Sequence, residues 1–248
     1  MKTRTRICIF GESPLVEEYA SLCLNRGFDV EVRVNSNGPT TKPPKGVRRI
    51  SKAGKSYQVG LELTNVSIEA KKKNLIELDK SLPSKTLILS SAVTVSIAEQ
   101  STWTKHPSRL LGMSAFPSLL ENGLIELAPS NSTSETAISA AQAFVESLGK
   151  EVALVQDCVG LVLPRILCML VNEAYFAMRE GVATARDIDS AMKLGTNYPH
   201  GPVEWGDRMG IRHVHAVVEA LYRHYGEDRY RVAPMLQQAA MNAMLAAS

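Results

Sequence analysis

Two hydrophobic rhythms divide this chain, and the change from one to the other constrains the fold more than any other feature. Up to about Asp157, short apolar runs alternate with amphipathic runs of helical period; from Gly160 onward every run is helical. TRICIF (residues 5–10) reads as a buried strand. The turn at Gly11 and Ser13-Pro14 feeds the amphipathic run LVEEYASLCLNRG, and FDVEVRVN alternates with the period-2 rhythm of a second strand. Strand, tight turn, helix, strand is the opening of a doubly wound α/β sheet. QVGLEL, the helical SIEAKKKNLIELDKSL, KTLILSS, a helix from Ser96, strands around LLGMSAF and LIELAP, the helix SETAISAAQAFVESLGK and the strand EVALVQD continue the alternation. Between Ser36 and Lys55 the Pro, Gly, Lys, Ser and Thr content predicts a loop. The expected domains are 1–156, α/β, and 157–248, all-helical, with helices over LPRILCMLVNEAYFAMREG, ARDIDSAMKLG and IRHVHAVVEALYRHYG.

At 248 residues, 45% of them apolar and 21% charged, the chain can bury two cores of ordinary size. Its longest nearly apolar run, Val159 to Val171, is interrupted by Pro164 and Arg165 and falls short of the roughly 20 residues a membrane span needs. The apolar stretch after the basic start is too brief for a signal peptide, so a cytoplasmic location is expected. Cys8, Cys23, Cys158 and Cys168 lack CxxC or Cys/His spacing, which argues for buried thiols over zinc or disulfides. The first 55 residues carry 11 Lys or Arg against 5 Asp or Glu. That surplus suits the phosphates of nucleic acid, a nucleotide or coenzyme A, but no aromatic residues interleave it, and a solvated basic loop is the expectation over nucleic-acid binding.

A dinucleotide fold wants three glycines at its first turn, for the turn itself, for approach to the pyrophosphate and for helix-to-strand packing. The corresponding positions are Gly11, Ser13 and Val16. Ser13 is small enough to approach a phosphate and its hydroxyl suits a helix cap, whereas Val16 should push the helix off the sheet. The second strand ends Arg33-Val34-Asn35, with no carboxylate for the ribose hydroxyls, although an inward Arg33 would suit a 2′-phosphate. Gly11, Ser13, Leu15 and Arg33 are the candidate cofactor contacts, for a weakly held NAD or, alternatively, NADP.

The run from Val159 to Gly210 contains Asn172-Glu173-Ala174, Glu180-Gly181, Asp187-Ile188-Asp189, Ala191-Met192-Lys193-Leu194-Gly195 and Pro199-His200-Gly201-Pro202, followed later by RYRVAPML. In this order, these elements resemble the C-terminal domain of the 3-hydroxyacyl-CoA and 3-hydroxybutyryl-CoA dehydrogenases. The resemblance implies a Rossmann-like first domain, NAD as cofactor, an acyl-CoA substrate and a homodimer formed through the helical domain. It also implies a His paired with a Glu, in which the carboxylate orients an imidazole that takes the proton of the 3-hydroxyl.

Against that pattern, the family's His-Phe-Phe-Asn-Pro falls on Ser114-Ala115-Phe116-Pro117-Ser118, so Ser114 stands where the base belongs while its partner is kept as Glu126. A hydrogen bond from Ser114 that satisfies the buried Glu126 carboxylate is the structural expectation. Ser90 matches a Ser of the family's Asn-Thr-Ser-Ser motif, with Ser91 following; the family's Asn near the start of the second domain falls on Pro164. Lys71 lies where the family often turns a Lys toward its coenzyme, yet a run of three lysines is expected to be a solvated face. His106 is expected on a surface loop rather than as a substitute base. Three readings follow: a dehydrogenase relative with activity lost or very weak, a working NAD(P)-dependent enzyme with another base, or a non-enzymatic subunit that dimerises through the helix Leu163 to Arg179.

Overall fold

A computed structural model describes residues 4–35 and 43–246. It divides into two compact units, Met1–Leu161 and Val162–Ser248. In the first, β1 (Arg6–Gly11), α1 (Leu15–Asn25), β2 (Asp29–Val34), β3 (Arg48–Arg49), β4 (Val59–Leu63), α2 (Ile68–Ser81), β5 (Leu87–Ser91), α3 (Ile97–Ser101), β6 (Leu110–Met113), β7 (Leu124–Pro129), α4 (Glu135–Ser147) and β8 (Glu151–Leu154) follow in order. Among the described residues the strands form one sheet, β3-β2-β1-β4-β5-β6-β7-β8. Every pairing is parallel except that of β6 with β7. The link between those two runs only from 114 to 123, too short for the dozen or more residues of a parallel crossover.

Strand periodicity sends alternate residues to opposite faces. Ile7, Ile9, Val30, Val32, Leu61, Leu89 and Leu111 pack under Leu15, Tyr19 and Cys23 of α1 and Phe144 and Val145 of α4. On the other face, Cys8, Phe10, Ile88 and Leu110 meet Leu75 and Leu78 of α2 and Ile97 of α3. The helices begin where the sequence supplies caps: the hydroxyls of Ser67, Ser96 and Ser134 accept the N–H of Ala70, Glu99 and Ala137.

The second unit contains α5 (Leu163–Arg179), α6 (Ala185–Thr196), α7 (Pro202–Met209), α8 (Ile211–Tyr225) and α9 (Pro234–Leu245). Of these, α5 packs on α7, α8 and α9 around Leu167, Val171, Val217 and Leu221. Sequence periodicity gave no separate helices for α7 and α9, because both open at a proline that reads equally well as a turn.

Several local expectations need correction. Part of the expected loop, 36–42, lies outside the described residues; within the rest, Arg48–Arg49 pairs with β2 as a short edge strand. Val16 does not displace α1 but is buried in the core with Leu15. The lysine run is not one solvated face, for Lys71 is buried while Lys72 and Lys73 are exposed. Nor is the basic opening purely solvated: Arg6 pairs with Asp29 and Glu31, Arg48 with Glu31, and Arg33 with Glu77. Cys8, Cys23 and Cys168 are buried, whereas Cys158 is only half-buried. No helix among the described residues is long and apolar enough to cross a membrane.

Candidate active site

The strand order reverses between β1 and β4, and an open α/β sheet binds its ligand outside the carboxyl ends of the strands at such a switch point. Gly11 ends β1 there. A Cβ on it would stand 2.5 Å from the carbonyl oxygen of Leu63, so glycine is required by the closeness of β4. The amide of Glu12 donates to that carbonyl at 3.2 Å, and the Glu12 carboxylate accepts the N–H groups of Asn65 (2.8 Å) and Val66 (3.0 Å). Burial pushes this carboxyl up to about 7, against the lowering effect of the two amides. Sequence reading passed over Glu12; its one signal was an acid between the two turn positions that favour glycine.

The expected helix cap is absent. Ser13 donates its hydroxyl to Glu17 at 2.7 Å, and α1 begins after Pro14 with no side-chain cap. The Leu15 side chain is in the core, which leaves only its main chain to a ligand. Glu12, Glu17 and Glu18 thus surround a turn and a helix start that, in a dinucleotide fold, receive a pyrophosphate; this end is poor in positive charge.

Next to it, between the end of β2 and the face of α2, lies a cleft of about 480 Å³ lined by Arg33, Asn35, Ser67, Lys73, Asn74 and Glu77, among others. Arg33 does turn into this cleft, with its guanidinium stacked 3.7 Å from the Phe10 ring centroid. It donates to Glu77 at 2.6 Å, to the Asn74 side-chain oxygen at 2.8 Å and to the Ser51 carbonyl at 3.1 Å. Asn74 in turn donates to Asn35 (3.0 Å) and Thr64 (3.1 Å). The residues of this cleft fit the adenosine half of NAD, offering the polar side chains of Asn35, Asn74 and Glu77 beside Val34 and Ala70, while the acidic turn suits the pyrophosphate half less well.

Behind the cleft, the Lys71 ammonium lies 2.5 Å from Glu62 and 2.9 Å from the Thr64 carbonyl oxygen. Ser90 joins this cluster, its hydroxyl 3.2 Å from Glu62 and 2.5 Å from the side-chain oxygen of Gln100. It is fully buried. Ser91 links instead to Asn65 and to the carbonyl of Ala115.

At the end of β6, the half-buried Ser114 donates its N–H to the Glu126 carbonyl, and its hydroxyl accepts the Glu126 N–H, both at 3.0 Å. The serine is therefore tied to the Glu126 main chain, not to its carboxylate as anticipated. His106, the one histidine of the first unit, precedes β6 while Ser114 follows it. The intervening four strand residues put them roughly 13 Å or more apart, at opposite ends of β6. There His106 pairs with Asp79 at 3.1 Å.

In the second unit, the family-like motifs make structural contacts. Asn172 donates to the Arg231 carbonyl (2.9 Å) and accepts the Ala233 N–H (2.8 Å), locking the RYRVAP segment onto α5. Asp189 accepts the N–H groups of Val203 and Glu204 and so caps α7, and a Cβ on Gly201 would collide with Asp189. His200 pairs with Glu204 at 2.6 Å and stands edge-on to Trp205. Pro164 sits buried in the first turn of α5.

The sequence profile of the 3-hydroxyacyl-CoA dehydrogenase C-terminal domain matches residues 160–246, and that of the same family's NAD binding domain matches residues 45–158, beginning after β2. Over 168 residues, 68% of this chain, it is 32% identical to 3-hydroxybutyryl-CoA dehydrogenase of Bradyrhizobium diazoefficiens. Over 178 residues, 72% of this chain, it is 32% identical to a probable 3-hydroxybutyryl-CoA dehydrogenase of Bacillus subtilis. A 98-residue stretch is 42% identical to 3-hydroxyadipyl-CoA dehydrogenase of Escherichia coli. These matches span 57%, 62% and 21% of the respective relatives. The crystal structure of (S)-3-hydroxybutyryl-CoA dehydrogenase from Ralstonia eutropha superposes with a TM-score of 0.79 at 24% identity, covering 97% of this chain and 94% of that one. For M. tuberculosis FadB2 the TM-score is 0.82 at 20% identity, covering 97% and 95%. With both family domains matched in order and the fold shared along nearly its whole length, the chain belongs to the 3-hydroxyacyl-CoA dehydrogenase family.

Proposed function

We propose that this chain is a 3-hydroxyacyl-CoA dehydrogenase relative that keeps a nucleotide site and an acyl-CoA site but carries out dehydrogenation very slowly or not at all. The observation that supports this reading most is the Ser114 hydroxyl, which accepts the main-chain N–H of Glu126 at 3.0 Å. Oxidising a 3-hydroxyl group requires a proton to leave the substrate as hydride departs. When bound, NAD supplies the hydride acceptor. A neutral serine hydroxyl is too weak a base to take that proton, and positioned acid–base help is worth about 10²- to 10⁴-fold in rate. Ser90 is assigned to the buried cluster around Glu62, and Glu126 is the carboxylate left from the family's dyad. In the nucleotide site, Asn35, Arg33 and Glu77 would hold the adenosine ribose, and the main chain at Gly11 and Ser13 would meet the pyrophosphate.

The competing NADP-dependent reading rests on Arg33, whose charge is already paired with Glu77. For a homodimer through the helical unit, the support is exposed bulk: Ile166 is 52% exposed, Val182 70% and Leu194 88%, unusual together on a small domain. A lone monomer at micromolar concentration in sedimentation would count against it.

The function is tested by assaying 3-hydroxybutyryl-CoA oxidation with NAD and NADP. The expected rate is undetectable for the chain as it stands and measurable for Ser114→His, which returns an imidazole beside Glu126. Turnover of a few per second by the unaltered protein would sink the reading.

A further inference from the structure

We infer that Glu77 supplies the ribose-binding carboxylate that β2 lacks, and that by neutralising Arg33 it makes the cleft select an adenosine ribose with free hydroxyls over a 2′-phosphorylated one. The inference rests on the first unit binding a nucleotide, and adds to it the residue that sets which one.

A dinucleotide fold places an acid at the end of its second strand to accept the ribose hydroxyls, and an arginine there suits a 2′-phosphate. Here that strand ends in Arg33-Val34-Asn35. Taken alone, this predicts a phosphate site. In three dimensions, α2 brings Glu77 into the same cleft, 2.6 Å from the Arg33 guanidinium. A second arginine nitrogen is held by Asn74, and the guanidinium face is covered by Phe10. Little of Arg33 is left to meet a phosphate. Among the described residues the ionisable groups lining the cleft are Arg33, Lys73, Glu69 and Glu77, two of each sign, so these side chains offer a dianion no net positive charge. Glu77 is only partly exposed, but a carboxylate has about four lone-pair sites. Among the described residues, its other oxygen accepts, beyond Arg33, only a long 3.4 Å bond from the Ala53 N–H, leaving capacity for ribose hydroxyls. Asn35 stands in the same cleft, 3.0 Å from Asn74, as a second polar group for the diol.

The test is calorimetric titration of the full chain with NADH and NADPH, a binding readout that needs no turnover. The unaltered protein should bind NADH at least about tenfold more tightly than NADPH. Glu77→Gln keeps the side-chain volume and removes the charge; it should shift the ratio toward NADPH by about tenfold or more, while Glu77→Asp keeps the NADH preference. Adding Arg33→Gln to Glu77→Gln should abolish the shift. The inference is overturned, with the nucleotide site intact, by an unaltered protein that binds both equally or prefers NADPH. It is equally overturned by a folded Glu77→Gln variant with an unchanged ratio. Failure to bind either dinucleotide at millimolar concentration overturns both this inference and the nucleotide site. Because the ratio for the unaltered protein is decisive by itself, the test survives a variant that fails to fold.

Discussion

The ammonium of Lys71 lies 2.5 Å from the carboxylate of Glu62, with both side chains sealed from solvent beneath the cleft. Glu62, next to last in β4, meets Ser90 and Asn74, and Lys71 also donates to the Thr64 carbonyl, so the pair is the hub of a buried polar cluster. Removing one partner strands a buried charge. Lys71→Met should lower unfolding free energy by about 3–5 kcal/mol, whereas the joint change Lys71→Met with Glu62→Leu should recover much of the loss. Urea unfolding measures both. A single variant within 1 kcal/mol of the unaltered protein would show that the charge finds water or another partner.

Much of this architecture is legible in the sequence because each element carries its own signal. The apolar run of TRICIF, the alternation of FDVEVRVN, serine caps before α2 and α4, and the change to helical period after Gly160 are local, and the fold obeys them. The side-chain partnerships were not legible, because they join residues far apart in the chain. Arg33 and Glu77 lie 44 positions apart, and only the packing of α2 on the sheet brings them together. Lys71 departs from expectation for a related reason: a lysine run looks solvated until helix rotation turns one member toward a carboxylate in β4. At position 114 the resemblance leads to an expectation of serine in the place of a histidine, but the serine's attachment to the Glu126 amide depends on an antiparallel turn that residue types do not announce.

Glu12 predicts a pH effect. Burial raises its carboxyl to about 7 from an ordinary 4.5, and burial likewise raises Glu18 to about 7. A raised acid binds its proton more tightly in the folded state than in the unfolded one. Its stabilising contribution is therefore full below about 4.5 and is lost as pH climbs through 7. Stability should fall between pH 5 and pH 8 by on the order of 1–3 kcal/mol per group. Glu12→Gln should flatten part of that fall, and the double variant with Glu18→Gln more. Chemical denaturation midpoints across this range check it; a curve as steep in Glu12→Gln as in the unaltered protein removes Glu12 from the account.

Gly11 offers a cleaner steric test. Its missing Cβ would come within 2.5 Å of the Leu63 oxygen and 2.7 Å of the Leu63 carbonyl carbon, and backbone in the next strand cannot swing aside as a side chain can. Gly11→Ala should therefore destabilise by about 1–3 kcal/mol or more through overpacking, and should weaken dinucleotide binding, since the turn between β1 and α1 has to shift. Thermal unfolding with and without NADH separates the two effects. Unchanged melting would mean that β4 moves freely, against its tight pairing with β1.

Asn172 allows the role of the family motifs in the second unit to be tested apart from any chemistry. Its side chain is buried and spans two main-chain groups, the Arg231 carbonyl and the Ala233 N–H, holding the segment before α9 against α5. Alanine there leaves the buried Ala233 donor and the part-buried Arg231 acceptor without their partner, and losing a buried partner costs about 1–3 kcal/mol, less where water reaches the group. Leucine fills the space but supplies neither hydrogen bond, so it should do no better, which separates lost hydrogen bonding from lost volume. Aspartate keeps an acceptor for Ala233 but sets a carboxylate oxygen against the Arg231 carbonyl, and it should protect the Ala233 amide while still destabilising the unit. Hydrogen exchange at the Ala233 amide reads this directly: fast in Asn172→Ala and Asn172→Leu, slower in Asn172→Asp. Equal protection in all three would mean that α9 is held by its apolar contacts, with Leu236 and Ala240 buried, rather than by the asparagine.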